Sequence, residues 1–160
     1  MKVIVYTGEN GTANVLTPVY PSEPLTPEEE AAFLQRLQQK DVPPLPDGSQ
    51  RPSFIKDVDS AEIVNMGKLF ESWRIDNTGR IYWDAEAGRE LKRAQFRLRR
   101  KPLLEELDVQ FMRSLEAGDT ARVAEIAAQK KVLRDVTLID LSSYTTPETL
   151  SAFMPEVLKY

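Results

Sequence analysis

The chain contains neither cysteine nor histidine. Without cysteine there is no disulfide, no thiolate metal site and no cysteine nucleophile, a usage that suits a reducing compartment. The absence of histidine removes more: the usual general base, the usual proton shuttle and the commonest metal ligand. Any catalysis would rest on carboxylates, lysine, tyrosine or serine. An excess of either charge is missing too. The 21 basic and 25 acidic side chains leave a net −4, which draws the chain neither to nucleic acid nor to an anionic membrane. No apolar run approaches the ~20 residues of a membrane span. The N-terminus "MKVIVYTGENG" is too briefly apolar for a secretory signal. A soluble protein is the expectation.

What is present is ordinary globular material, 41% hydrophobic and 29% charged over 160 residues. That suits one domain, or a small head joined to helices. "KVIVYT" and "ANVLTPVY", rich in β-branched and aromatic residues, flank "GENGT", whose Asn10-Gly11 accepts the positive φ of a tight turn. They predict a β-hairpin. Pro18 and Pro21 limit its second strand. A helix follows, with Thr26 as cap, Pro27 in the first helical position, Glu29 completing a capping box, and Phe33, Leu34 and Leu37 on one face. It must stop before Pro43-Pro44. Residues 43–53, with four prolines and a glycine, read as a loop. "FIKDV" and "FESWRID" read as strands, and "NTGR" as a second hairpin turn leading into "IYW". "SAEIVNMGKL" reads either as helix or as irregular loop.

From Asp84 the periodicity changes. Leu91, Ala94 and Leu98, then Leu104, Leu107, Phe111 and Leu115, recur at helical spacing after Asp84 as cap. Gly118 is placed to end that helix and Asp119 to cap the next, which carries Val123, Ile126, Ala127 and Leu133. So short a connection requires an antiparallel αα-hairpin. Pro102 removes a helical hydrogen bond and crowds the preceding turn, at a cost of about 3 kcal/mol, so a kink or break is expected near Arg99–Lys101. A last short helix would start at Thr146 and Pro147. The expected fold class is α+β: a head over 1–83, a helical hairpin over 84–136 and a C-terminal segment over 137–160.

The search for chemistry finds no catalytic, metal or cofactor set. Ser142, Ser143 and Tyr144 have no histidine to serve as base. Asp57 and Asp59 would share one face of a strand and could hold a hard cation, but such alternation is common and solvation in a loop explains it as well. A carboxylate enzyme built on Asp57, Asp59 and Asp76 would need those acids to converge. Arg89, Arg93, Arg97 and Arg100 form a stripe at helical spacing, with Lys92, Arg99 and Lys101 beside it. The stripe is either a solvated face, a surface for an acidic protein, or a phosphate reader. The last would make the chain a nucleic-acid-binding regulator using 89–101, and the acidic total argues against it. Trp73 and Trp83 either pack the head or anchor an interface.

The segment "LKRAQFRLRRKPLLEELDVQFMRSLEAGDTARVAEIAAQKKVLRDVT" resembles the C-terminal module of small tailed-phage proteins described as tail or tail-fibre assembly proteins. The resemblance lies in Leu103, Leu104, Leu107 and Asp108, then "EAGD", then Lys130, Leu133, Arg134 and Asp135. It is most secure over 91–137. It implies a non-enzymatic protein that binds tail fibres or neighbouring tail or baseplate proteins, as virion connector or assembly chaperone. It also implies a place in the bacterial host cytoplasm during assembly or, retained, in the virion tail, with self-association open. Within the hairpin, Leu104, Leu107 and Leu133 would close the core, and Asp108 and Arg134 are candidates for a cross-hairpin ion pair. Partner contacts would then fall to Trp73, Trp83 and the four arginines.

Overall fold

The computed structural model describes residues 1–159, apart from the side chain of Glu62; Tyr160, the last residue of the expected C-terminal segment, lies outside the described residues. The fold class is α+β. Contacts divide the chain into two compact units, Met1–Ala85 and Glu86–Tyr160, the second holding both the helical hairpin and the segment after it.

In the first unit β1 (Lys2–Thr7) is the central strand of a three-stranded antiparallel sheet in the order β2-β1-β3. β2 is Ala13–Leu16 and β3 is Ser53–Asp57. Val3, Ile4 and Val5 are all fully buried, so both faces of β1 are covered. Period-two alternation explains how. Lys2, Ile4 and Tyr6 lie opposite Asp57, Ile55 and Ser53 in β3, on the face met by α1 (Pro27–Asp41). Lys2 pairs with Glu30 of that helix, and Gln38 Nε2 donates to the Ser53 carbonyl at 3.0 Å. The other face carries Val3, Val5, Phe54 and Lys56, and against it lies a second hairpin, β4 (Trp73–Ile75) with β5 (Ile81–Trp83).

Both hairpins turn in the same way. Gly8 N–H donates to the Thr12 carbonyl and Gly11 N–H to the Gly8 carbonyl; Asp76 N–H donates to Arg80 and Gly79 N–H to Asp76. Each is a three-residue loop ending on a glycine in the left-handed region, Gly11 at φ 73° and Gly79 at φ 79°. Only the glycine of the expected Asn10-Gly11 pair uses positive φ. β2 ends at Leu16, before both prolines.

α1 has the capping box expected at Thr26 and Glu29, and it buries Leu34, worth about 2 kcal/mol of transfer free energy. The proline-rich loop after it is held by Arg51, which is buried. Its guanidinium donates to the carbonyls of Thr7, Pro43 and Pro44 at 2.7–3.2 Å. "SAEIVNM" resolves as helix α2 (Ser60–Met66). The strand expected over "FESWRID" begins only at Trp73. Phe70–Ser72 is a 3-10 turn entered through Leu69 at φ 52°, and the Leu69 carbonyl accepts both the Ser72 N–H and its hydroxyl. Those local bonds to Ser72 outcompete strand pairing.

The second unit takes all but the first residue of α3, 32 residues over Ala85–Glu116. The expected break near Arg99–Lys101 is absent, for α3 continues through Pro102. Pro102 is exposed and the residue four before it, Leu98, is 74% exposed, so the carbonyl released by the missing N–H faces water. Leu98 itself was expected on the packed face. The buried positions of this half are instead Gly88, Lys92 and Phe96, four apart, on the side that the C-terminal segment meets through Ser151 and Phe153. Phe96 meets Phe153 edge-on at 6.1 Å.

A Schellman ending closes α3. Gly118 at φ 71° donates to Leu115, Asp119 donates to Ser114, and the Asp119 side chain caps α4 (Thr120–Asp135) through Arg122 N–H. The helices run antiparallel: Arg122 reaches Gln110 at 3.1 Å and Arg100 reaches the Arg134 carbonyl at 2.7 Å. The expected Asp108–Arg134 pair does not form. Asp108 pairs with Lys130, which also lies 5.0 Å from the Phe111 ring. Arg134 is one turn further along α4, level with Arg100 instead. Ile126 and Leu133 are buried, Leu104 and Leu107 half-buried, and Leu115 is 54% exposed rather than packed. α5 (Pro147–Ala152) starts from Thr146 as expected.

Candidate functional site

The six residues singled out for partner contact fall into the two units. In the first, Trp73 and Trp83 are directly opposed across the β4–β5 pair. Both are half-buried with their indole N–H groups engaged, Trp73 on the Lys68 carbonyl at 3.1 Å and Trp83 on the buried Ser72 hydroxyl at 3.0 Å. Trp83 therefore belongs to the packing of the turn beneath it. Trp73 also walls a pocket of about 400 Å³, with Lys56, Asn65, Met66, Arg80 and Ile81 around it.

In the second unit the arginine stripe is screened by carboxylates on its own helix. Arg89 pairs with Glu86 at 3.1 Å; Arg93 lies 3.5 Å from Glu86 and 3.6 Å from Glu90; Arg97 pairs with Glu90 at 2.7 Å. The hydrogen bond from Arg97 holds the Glu90 carboxyl below its ordinary range, so the pairs made by Glu90 persist in mild acid. Arg100 turns to the Arg134 carbonyl and lies 3.4 Å from Thr137 Oγ1, and so ties α3 to the end of α4. Any anionic partner, whether phosphate or protein carboxylate, would have to displace these contacts first.

The three acids considered for a carboxylate enzyme, Asp57 and Asp59 among them also for a cation, do not converge. Asp57 accepts from the N-terminal ammonium at 2.7 Å, which lowers its pKa. Asp59, outside the strand, caps α2 through Ala61 N–H. Asp76 organises its turn by accepting from Thr78 and from Arg80 N–H, and the Thr78 hydrogen bond foremost keeps it ionised. Among the described residues no group of three or more metal-ligating side chains forms.

Two features escaped the sequence reading. Lys92, grouped with the basic run, is 1% exposed; its ammonium donates to the Ser151 carbonyl at 2.8 Å and lies 5.9 Å from the Phe96 ring. Its four-residue spacing from Gly88 and Phe96 was the available signal. Lys56 and Arg80, neither of them in any basic cluster, stand around Trp73, and nothing in the linear spacing of 56, 73 and 80 announces it. Compared with known proteins, the chain matches no family model, no curated protein and no solved structure.

Proposed function

We propose that this chain is a non-enzymatic bacteriophage tail protein that binds tail fibres or neighbouring tail proteins, acting in the host cytoplasm as an assembly chaperone or staying in the particle as a connector. The observation that carries the protein-binding part is the uncovered apolar surface of the helical hairpin. Val109, Met112 and Leu115, three residues apart on α3, are 51–54% exposed, and Val132 on α4 is 55% exposed. A groove of about 340 Å³ runs between the helices over Leu103, Leu107, Leu133 and Val157. Exposed apolar side chains, and a groove in which leucines and valines are edged by Glu106, Gln110 and Gln129, are the composition of a contact surface rather than of a solvated face. The tail assignment rests on the resemblance over 91–137, whose leucines and "EAGD" turn lie in this hairpin.

The test is a stoichiometric protein inventory of particles and infected lysate from a phage encoding the chain. Recovery at a fixed multiple of the tail's symmetry makes it a connector. Recovery on a fibre protein in lysate, with none in particles, makes it a chaperone. Absence from both overturns the reading.

A further inference from the structure

The pocket beside Trp73 carries an inference independent of the tail assignment. It lies on the face of the sheet covered by the second hairpin, between the end of β3, α2 and the β4–β5 turn. Val58, Met66, Trp73 and Ile81 supply the apolar part of its lining. Two cations stand at it. The Lys56 ammonium lies 6.0 Å from the Phe54 ring, and its side chain passes over the turn closely enough that its Cε would lie 2.8 Å from a Cβ at Gly79. Arg80 is exposed at that same turn. Neither forms an ion pair among the described residues.

Among the described side chains, the acids near the pocket are engaged elsewhere. Asp57, also in its lining, is paired with the N-terminal ammonium. Asp76 feels the charge of Arg80, but its carboxylate is taken up by the Thr78 and Arg80 N–H groups. Asn65 adds a side-chain amide. The wall that presents Trp73 is held fixed: Leu69 sits in the left-handed region, and the carbonyl just before it accepts the indole N–H. Left-handed backbone at a β-unbranched but bulky residue costs about 1–2 kcal/mol, which its burial helps to offset. The larger cleft of the same unit, about 700 Å³, lacks this character. Glu9 and Asp76 line it, and Arg51 there is already bound by three carbonyls.

We propose that the Trp73 pocket binds a carboxylate carried on an aromatic body, the anion between Lys56 and Arg80 and the ring against the indole and Met66. Volumes of about 300–1,000 Å³ with an apolar lining and a few convergent polar groups are usual for such ligands, and a guanidinium takes a carboxylate through paired N–H groups. Two sources supply this chemistry, a free small acid and the C-terminal phenylalanine of a polypeptide.

The experiment is an amide and indole NMR titration of the full chain with two matched pairs of probes: 1-naphthoate against 1-naphthamide, and acetyl-Gly-Gly-Phe with a free carboxylate against its C-terminal amide. The expected result is a saturable shift of the Trp73 indole N–H, the Asn65 side-chain amide and the Gly79 amide with a carboxylate probe, while its uncharged partner binds at least tenfold more weakly. Whichever carboxylate binds more tightly identifies the source. The double substitution Lys56→Gln and Arg80→Gln keeps the side-chain stems and should weaken binding tenfold or more with the thermal midpoint unchanged. If that variant loses stability, charge-conserving Lys56→Arg with Arg80→Lys should bind within about threefold of the original chain. Equal binding of acid and amide, shifts away from these three groups, or undiminished binding by a folded double variant would each overturn the proposal.

Discussion

Two glycines with nearly the same backbone show how a residue's cost depends on what surrounds it. Gly11 and Gly79 both end three-residue hairpin loops with φ of 73° and 79°. A Cβ on Gly11 would meet nothing within 4 Å, so Gly11→Ala should lose only the conformational cost, about 1 kcal/mol. A Cβ on Gly79 would lie 2.4 Å from Phe54 Cγ and 2.7 Å from its Cβ, and Phe54 belongs to the sheet. Overpacking then adds about 1–3 kcal/mol. Urea unfolding should separate the two substitutions clearly, and equal losses would mean the second hairpin gives way freely. At Lys92 burial is again decisive, but through charge. Desolvation, then the nearby charge of Arg99, lowers its pKa from 10.5. The folded state therefore sheds this proton before the unfolded state does. Below the folded pKa the cost of burying the charge is fully present, and it fades as pH rises towards 10.5, so stability contributed through this group rises over that window. Lys92→Met removes the titration. The difference in urea midpoint between original chain and variant should change in the original chain's favour from pH 8 to pH 10.5. A constant difference would show that the ammonium is not desolvated.

At the scale of elements, α3 asks why a 32-residue helix tolerates proline. Its missing hydrogen bond falls on the solvent side, where water replaces a partner and no core contact depends on it. Pro102→Ala should therefore stabilise the chain by about 1–3 kcal/mol, towards the full interior difference between the two residues. A neutral or negative result in urea unfolding would show that the proline shapes α3 in a way its continuity does not reveal. The same helix marks where the sequence was legible. Starts and stops were, because a cap and a left-handed glycine act through neighbours in the chain: Thr26 with Glu29, Thr146 with Pro147, Gly118 with Asp119. Strand β1 and both hairpin turns were legible for the same reason. Which face of α3 is buried was not. Leu91, Ala94 and Leu98 match helical spacing as well as Gly88, Lys92 and Phe96 do, and the choice is made by the distant C-terminal segment, where Ser151 meets Lys92 and Phe153 meets Phe96. The Asp108 pairing failed similarly, since one turn of helix separates Lys130 from Arg134. The Trp73 pocket gathers β3, α2 and the second hairpin, so only the tryptophan was visible beforehand.

For the whole molecule the two compact units have separate cores, Val3, Ile4, Val5, Leu34 and Met66 in one and Phe96, Ile126, Leu133, Leu141, Leu150 and Leu158 in the other. Each core is small, and stability at this size is a narrow difference between large terms. The chain provides a built-in way to follow them apart. Both tryptophans lie in Met1–Ala85, so indole fluorescence reports that unit alone. Helical ellipticity reports mainly the other, where α3 and α4 contribute 32 and 16 residues against 15 and 7 from α1 and α2. Cores with no shared buried residue should melt in urea at different midpoints, so the two signals should not coincide. Gly79→Ala sharpens the measurement, because it strikes only the first core. It should move the fluorescence transition to lower urea and leave most of the ellipticity transition in place. If both signals move together, the units unfold as one, and the cores are coupled more strongly than their separate compositions require.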